Sequence, residues 1–156
     1  MKDSLILGIG NDILMDDGIG VKLVDKFKAE NTNPNVAFET CMLGGFDVLD
    51  LIVGYKKVII IDAIKTKNGT PGDIYYLQPS DFKETLHLSN MHDVSFLNAL
   101  KFGNKLNLGV PKQIDIIAIE IVEDRIFGNE FTSPLMAKYP KIIKEVREKV
   151  RQLIKS

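Results

Sequence analysis

Apolar and polar positions alternate along this chain in two rhythms, one of strands and one of helices. Leu5 to Ile9 is a short apolar run passing into Gly10-Asn11-Asp12, the pattern of a buried strand that ends in a tight turn. From Gly20 onward Val21, Leu23, Val24 and Phe27 recur at helical spacing with Lys22, Asp25, Lys26 and Lys28 between them, which predicts an amphipathic helix. Asn33-Pro34-Asn35 stops it, and Val36 to Cys41 reads as a second strand. Gly44-Gly45 opens a second helix carrying Phe46, Val48, Leu49, Leu51, Ile52 and Val53. Val58 to Ile61 is apolar on both faces and therefore reads as a central strand, with Asp62 directly after it.

The turn signal Lys67-Asn68-Gly69-Thr70-Pro71-Gly72-Asp73 then leads to a fourth strand, Ile74 to Leu77. A parallel crossover needs about a dozen residues or more, so this short, helix-free connection predicts an antiparallel strand near an edge. A helix from about Asn90 to Phe102 carries Met91, Val94, Leu97 and Leu100 on one side. Ile114 to Ile121 is the fifth strand, and Ser133-Pro134 opens a last helix striped by Leu135, Tyr139, Ile142, Ile143, Val146, Val150 and Leu153. Strands alternating with helices predict an α/β fold, a mostly parallel open sheet covered on both faces, as one three-layer domain over residues 1–156. In such sheets ligands bind outside the carboxyl ends of the parallel strands, so the residues just after Ile9, Cys41 and Ile61 are the ones to inspect.

Composition narrows the chemistry. The 156 residues are 45% hydrophobic and 26% charged, and 20 Lys and Arg balance 21 Asp and Glu. A net charge of -1 offers no basic excess for nucleic acid. No apolar run approaches the ~20 residues of a membrane-spanning helix, and the N-terminus lacks a signal-peptide pattern, so a cytoplasmic protein without a membrane partner is expected. The single cysteine, Cys41, excludes an internal disulfide, fits a reducing compartment, and reads as a small buried strand residue. With only His87 and His92 as histidines, any metal site must draw mainly on carboxylates.

The first loop, Gly8-Ile9-Gly10-Asn11-Asp12-Ile13-Leu14-Met15-Asp16-Asp17-Gly18-Ile19-Gly20, is not a dinucleotide fingerprint, because Ile13 replaces the third glycine and acids repel a pyrophosphate. Helix capping is an alternative reading for one of Asp16 and Asp17, and since two acids cap no better than one, the pair leaves a carboxylate to be explained at the sheet edge. Asp62, pushed out at the end of the third strand, is either a turn former or a second such carboxylate. His92 falls at the predicted start of the later helix, where the helix dipole favours neutral imidazole, the metal-binding form. His87 competes with it from a less patterned stretch. Two carboxylates and an imidazole on one edge suit a weakly held borderline divalent ion.

The run Gly8-x-Gly10-Asn11-x-x-Leu14-x-Asp16-Asp17-Gly18-x-Gly20, then Gly44-Gly45, Ile61-Asp62-Ala63 and His92 with Ser89 ahead of it, resembles the hydrogenase maturation proteases over roughly residues 4–125. That resemblance implies an α/β/α sandwich with a five-stranded mixed sheet. It also implies an endopeptidase that removes a short C-terminal extension from the large-subunit precursor of a nickel-iron hydrogenase after nickel insertion. By the same analogy Asp17, Asp62 and His92 engage nickel that the precursor supplies. On chemical grounds Asp16 is either a general base or orienting group beside them or a helix cap. Gly44 and Gly45 admit a close approach of the substrate backbone or merely start a helix. The reading needs no Ser or Cys nucleophile and favours a monomer.

Ala118-Ile119-Glu120-Ile121 departs from the Gly-x-Gln/Glu-Pro stretch frequent in the family, keeping the acid without the proline, and Phe46 stands where many relatives have threonine. Two rival functions are a nickel-checking chaperone that binds the large subunit without cutting it, and a nickel-independent peptidase of the same fold.

Overall fold

A computed structural model of the chain describes residues 3–42, 46–81, 85–88 and 95–156. Five strands, β1 (Ser4–Ile9), β2 (Val36–Cys41), β3 (Lys57–Ile64), β4 (Ile74–Leu77) and β5 (Gln113–Glu120), form one sheet in the order β2-β1-β3-β5-β4. All neighbouring pairs are parallel except β4 with β5, which run antiparallel, as the short connection required. The helices are α1 (Ile19–Glu30), α2 (Phe46–Ile52), α3 (Phe96–Lys105) and α4 (Ser133–Lys155), and a 3-10 turn over Met15–Gly18 runs directly into α1.

Side chains of the central strands alternate between two cores, as the two-residue period of a strand demands. Ile6, Ile59, Ile61, Ala63, Ile117 and Ile119 pack with α1 and α4 on one face. Leu5, Leu7, Val58, Ile60, Ile114 and Ile116 pack with α2 and α3 on the other. Chain order places the switch point between β1 and β3: α1 leads outward from β1 to β2, and α2 leads back across to β3. The crevice outside the carboxyl ends of β1 and β3 is therefore the place where an open sheet of this kind receives a ligand.

Three local expectations change. Asp62 lies inside β3 rather than after it, because β5 pairs with β3 as far as Ile64 opposite Glu120, whereas β1 leaves β3 at Gly8 opposite Ile61. The last residues of β3 thus extend past β1, paired with β5 on one side and met on the other by the Leu86 N–H, which donates to the Ala63 carbonyl. Helix α3 starts at Phe96, where the Ser95 side chain accepts a hydrogen bond from the Asn98 N–H at 3.3 Å. The earlier turn expected from Asn90, with Met91, His92 and Val94, lies outside the described residues, as do Gly44 and Gly45. Cys41, expected to be buried, is half-buried at the end of edge strand β2, opposite Ile9 of β1.

Two glycines let α1 sit down on the sheet. A Cβ on Gly20 would lie 2.4 Å from the Ile61 carbonyl oxygen, and one on Gly8 would lie 2.5 Å from the Gly20 carbonyl oxygen. These are backbone atoms that cannot swing aside, so any larger residue would lift the helix from the strands. The close seat brings Asp17, two residues before α1, down to the end of β3.

Candidate active site

At the switch point two buried carboxylates meet one imidazole. Asp17, in the 3-10 turn after β1, is held by the Asn11 N–H, which donates to its Oδ2 at 2.7 Å. Asp62 accepts the Ala63 N–H on Oδ1 at 2.8 Å and the His87 N–H on Oδ2 at 3.1 Å. The ring of His87 bridges the pair, with Nε2 3.1 Å from Asp17 Oδ1 and Nδ1 2.6 Å from Asp62 Oδ1. His87 is carried on the 86–88 turn, which is tied to the end of β3 by a hydrogen bond from the Leu86 N–H to the Ala63 carbonyl at 3.0 Å.

Electrostatics fixes the charge of this bridge. Burial alone would push the imidazole toward neutrality, but its hydrogen bonds to Asp17 and Asp62, reinforced by their negative charge, prevail and raise it from 6.5 to about 10. At neutral pH the ring is an imidazolium donating to both acids. Among the described residues no group of three or more His, Cys, Asp or Glu side chains is arranged around a metal position. The carboxylates are instead spanned by a cation of the protein's own.

The structure gives the neighbouring Asp16 a separate set of partners. Its fully buried carboxylate accepts the Val122 and Glu123 N–H groups on Oδ2 at 3.0 and 3.1 Å, the Thr132 N–H on Oδ1 at 2.7 Å, and the Thr132 hydroxyl on Oδ2 at 2.8 Å. Both oxygens are therefore committed to the loop after β5 and to Thr132, the residue that precedes α4, rather than to the 3-10 turn that bears the residue.

A further carboxylate at this edge, Glu120, takes part in a network that sequence reasoning did not foresee. Buried at the end of β5, it accepts the Thr66 N–H at 2.8 Å, the Thr66 hydroxyl and the Tyr75 hydroxyl at 3.0 Å. It thereby holds the 65–73 connection against the sheet, and Lys65 adds an ion pair to Asp124 at 3.2 Å. Only the retained acid at position 120 hinted at this, because the amide and hydroxyls that bind it lie 45 and 54 residues away in sequence.

A family model described as hydrogenase maturation protease matches residues 21–149. The chain belongs to the hydrogenase maturation protease family. Its fold class and the peptidase reading thus follow from the comparison as well as from the motif in the first loop. Among relatives of this protease, a provisionally named hydrogenase maturation protease of Methanocaldococcus jannaschii is 31% identical over 137 residues, 85% of this chain and 80% of the relative. The hydrogenase 2 maturation protease of Escherichia coli is 27% identical over 120 residues, 74% of this chain and 71% of the relative. The fold is that of the hydrogenase maturating endopeptidase HybD of Escherichia coli, with a TM-score of 0.75 at 22% identity over 96% of this chain and 93% of the other.

Proposed function

We propose that this protease cuts the C-terminal extension from the large-subunit precursor of a nickel-iron hydrogenase, in the cytoplasm and after nickel insertion, with the nickel arriving as part of the substrate. The observation that carries the reading is the pair of buried acids, Asp17 from the turn before α1 and Asp62 from β3, already spanned by a positive charge at the switch point. A divalent ion presented by the precursor would displace the bridging proton to solvent, and Asp17, Asp62 and a neutral imidazole would then hold it as a donor set of the right class for a borderline metal. Family resemblance nominates His92 for the imidazole; His87 is the histidine found beside the two acids.

Hydrolysis then needs one water, added to the scissile carbonyl as the C–N bond breaks and a proton passes to the leaving amine. The substrate's metal supplies polarisation of that carbonyl or of the water. Asp17 and Asp62 fix the metal and hence the bond beside it. Asp16 keeps the loop bearing Asp17 in place from behind, which makes it a positioning residue in this scheme. Gly44 and Gly45 keep only the role that the sequence suggests, a close approach of the substrate backbone.

Mass spectrometry of a nickel-loaded precursor incubated with the wild type and with Asp17→Ala, Asp62→Ala, His87→Ala and His92→Ala tests the scheme. The expected result is loss of the extension with the wild type only when nickel is present, and its retention with either aspartate variant. The histidine whose removal stops cleavage is the one that meets the metal. Undiminished cutting by Asp17→Ala removes the carboxylate pair from the reaction. Cutting without nickel identifies a nickel-independent peptidase, and a stable complex of unchanged mass identifies a chaperone.

A further inference from the structure

Next to the proposed site stands a patch of exposed apolar side chains on unusually well-fastened loops. Phe127 is 79% exposed, Ile126 57% and Ile13 52%, with Val122 also open to solvent. A soluble protein rarely leaves large apolar side chains together on its surface unless something covers them. These residues are together because the two loops pair. Leu14 and Gly128 form a parallel bridge, the Met15 N–H donates to the Gly128 carbonyl at 2.8 Å, and the Gly128 N–H donates to the Ile13 carbonyl at 2.9 Å.

Asp16 grips the same loop at Val122, Glu123 and Thr132, and Lys22 binds the Asn129 carbonyl at 2.6 Å. The carboxylate of Glu123 also accepts the Asp124 and Arg125 N–H groups. The segment is thus tied at both ends and at its middle, while its largest apolar side chain stands out. Such a projection loses little freedom when a partner covers it, which is the condition for an effective anchor.

We infer that Phe127, flanked by Ile126 and Ile13, is a docking knob that enters an apolar recess on the folded body of the precursor, beside the bond-cutting site and apart from the extension that is removed. The inference rests on the function proposed above. Continuity supports it: the knob is paired to the loop that carries Asp17, so a protein reaching Asp17 and Asp62 lies across it. Shape chooses the folded body over the extension. An extended peptide binds in a groove or along an open strand edge. Here the 13–15 and 128 backbones already satisfy one another, and a convex side chain needs a concave counterpart that only a folded surface offers.

Binding of the full chain to three forms of the substrate tests this: the nickel-loaded precursor, the large subunit lacking the extension, and the extension peptide alone. Phe127→Ser should weaken binding to both folded forms about tenfold or more, as expected for an interface anchor. The kcat at saturating precursor should stay near the wild-type value while KM rises, and Phe127→Leu should restore much of the binding. An unchanged melting temperature confirms that the serine variant is folded. Wild-type affinity in Phe127→Ser overturns the inference, and so does a loss confined to forms carrying the extension. If the wild type binds the folded forms through Phe127 without cutting, the docking surface stands and the peptidase assignment of this substrate falls. If the wild type binds no form, both fall.

Discussion

Asp17, in the turn that leads into α1, and Asp62, on β3, are bridged by the imidazole of His87, which stands 3.1 Å from one carboxylate and 2.6 Å from the other. Placing one cation between two buried acids makes their burial tolerable, since an unpaired carboxylate there would lack the charge that compensates its lost hydration. The arrangement has a pH signature. The imidazole is raised from 6.5 in the unfolded chain to about 10 in the folded one. The folded state therefore binds the proton more tightly, and the bridge contributes its full stabilisation below about pH 6.5. That contribution declines as pH rises toward about 10 and is gone above it. Metal-free protein should lose melting temperature between neutral and alkaline pH, and His87→Gln should be less stable at pH 6 with a flatter profile. A wild-type melting temperature that does not move over this range would sink the idea of a charged bridge.

Asp16 and Asp17 are neighbours whose carboxylates serve different parts of the molecule. Asp16→Asn keeps the size but replaces one acceptor oxygen by an NH2 group facing backbone donors that it cannot serve. Loss of charge-assisted hydrogen bonds in a buried network should cost about 2–3 kcal/mol in denaturant unfolding. Hydrogen exchange should quicken at Val122, Glu123 and Thr132, whose amides the carboxylate holds. A brace and a general base give opposite results: the brace variant loses stability and keeps measurable cleavage in the cold, whereas a base variant stays stable and stops cutting. Full stability with abolished cleavage would restore Asp16 to the chemistry.

The order of elements was legible in the chain because strand and helix periods differ and because Asn-Pro, Gly-rich and Ser-Pro boundaries punctuate them. The antiparallel β4 followed from the shortness of the connection before it. Asp17 and Asp62 were also visible as candidates, since acids in the loop after one apolar strand and directly after the apolar run of another have few structural reasons to be there. What the sequence conceals is whom those acids bind. Three of the four partners of Asp16 are backbone amides 106 to 116 residues away, and an amide has no letter of its own. The extension of β3 through Asp62 depends on how far β5 accompanies it, a tertiary matter that no local pattern encodes. Gly20 is visible as a glycine, but its reason, the Ile61 carbonyl pressed against it, appears only once helix and sheet are docked. His87 sits in a segment without periodicity, so sequence could name it as an alternative and give it no place.

Glu120 offers the last test, of whether the edge of the site is built as one piece. Its carboxylate accepts from the Thr66 N–H and hydroxyl and from the Tyr75 hydroxyl, and it fills the space beside Gly69, where a Cβ would lie 1.7 Å from Oε1. Glu120→Ala leaves three donors without this acceptor and opens a void under the 65–73 connection. A buried donor left unmet costs about 1–3 kcal/mol, so the variant should lose at least a few kcal/mol overall. The loss should also be local. The Thr66 amide should exchange rapidly, and trypsin should gain access at Lys65 and Lys67 before the rest of the chain unfolds, because the Lys65 pair with Asp124 alone is a partly exposed contact of small worth. Uniform destabilisation with no preferential opening at 65–73 would show that Glu120 supports the sheet as a whole and does not clamp this connection to it.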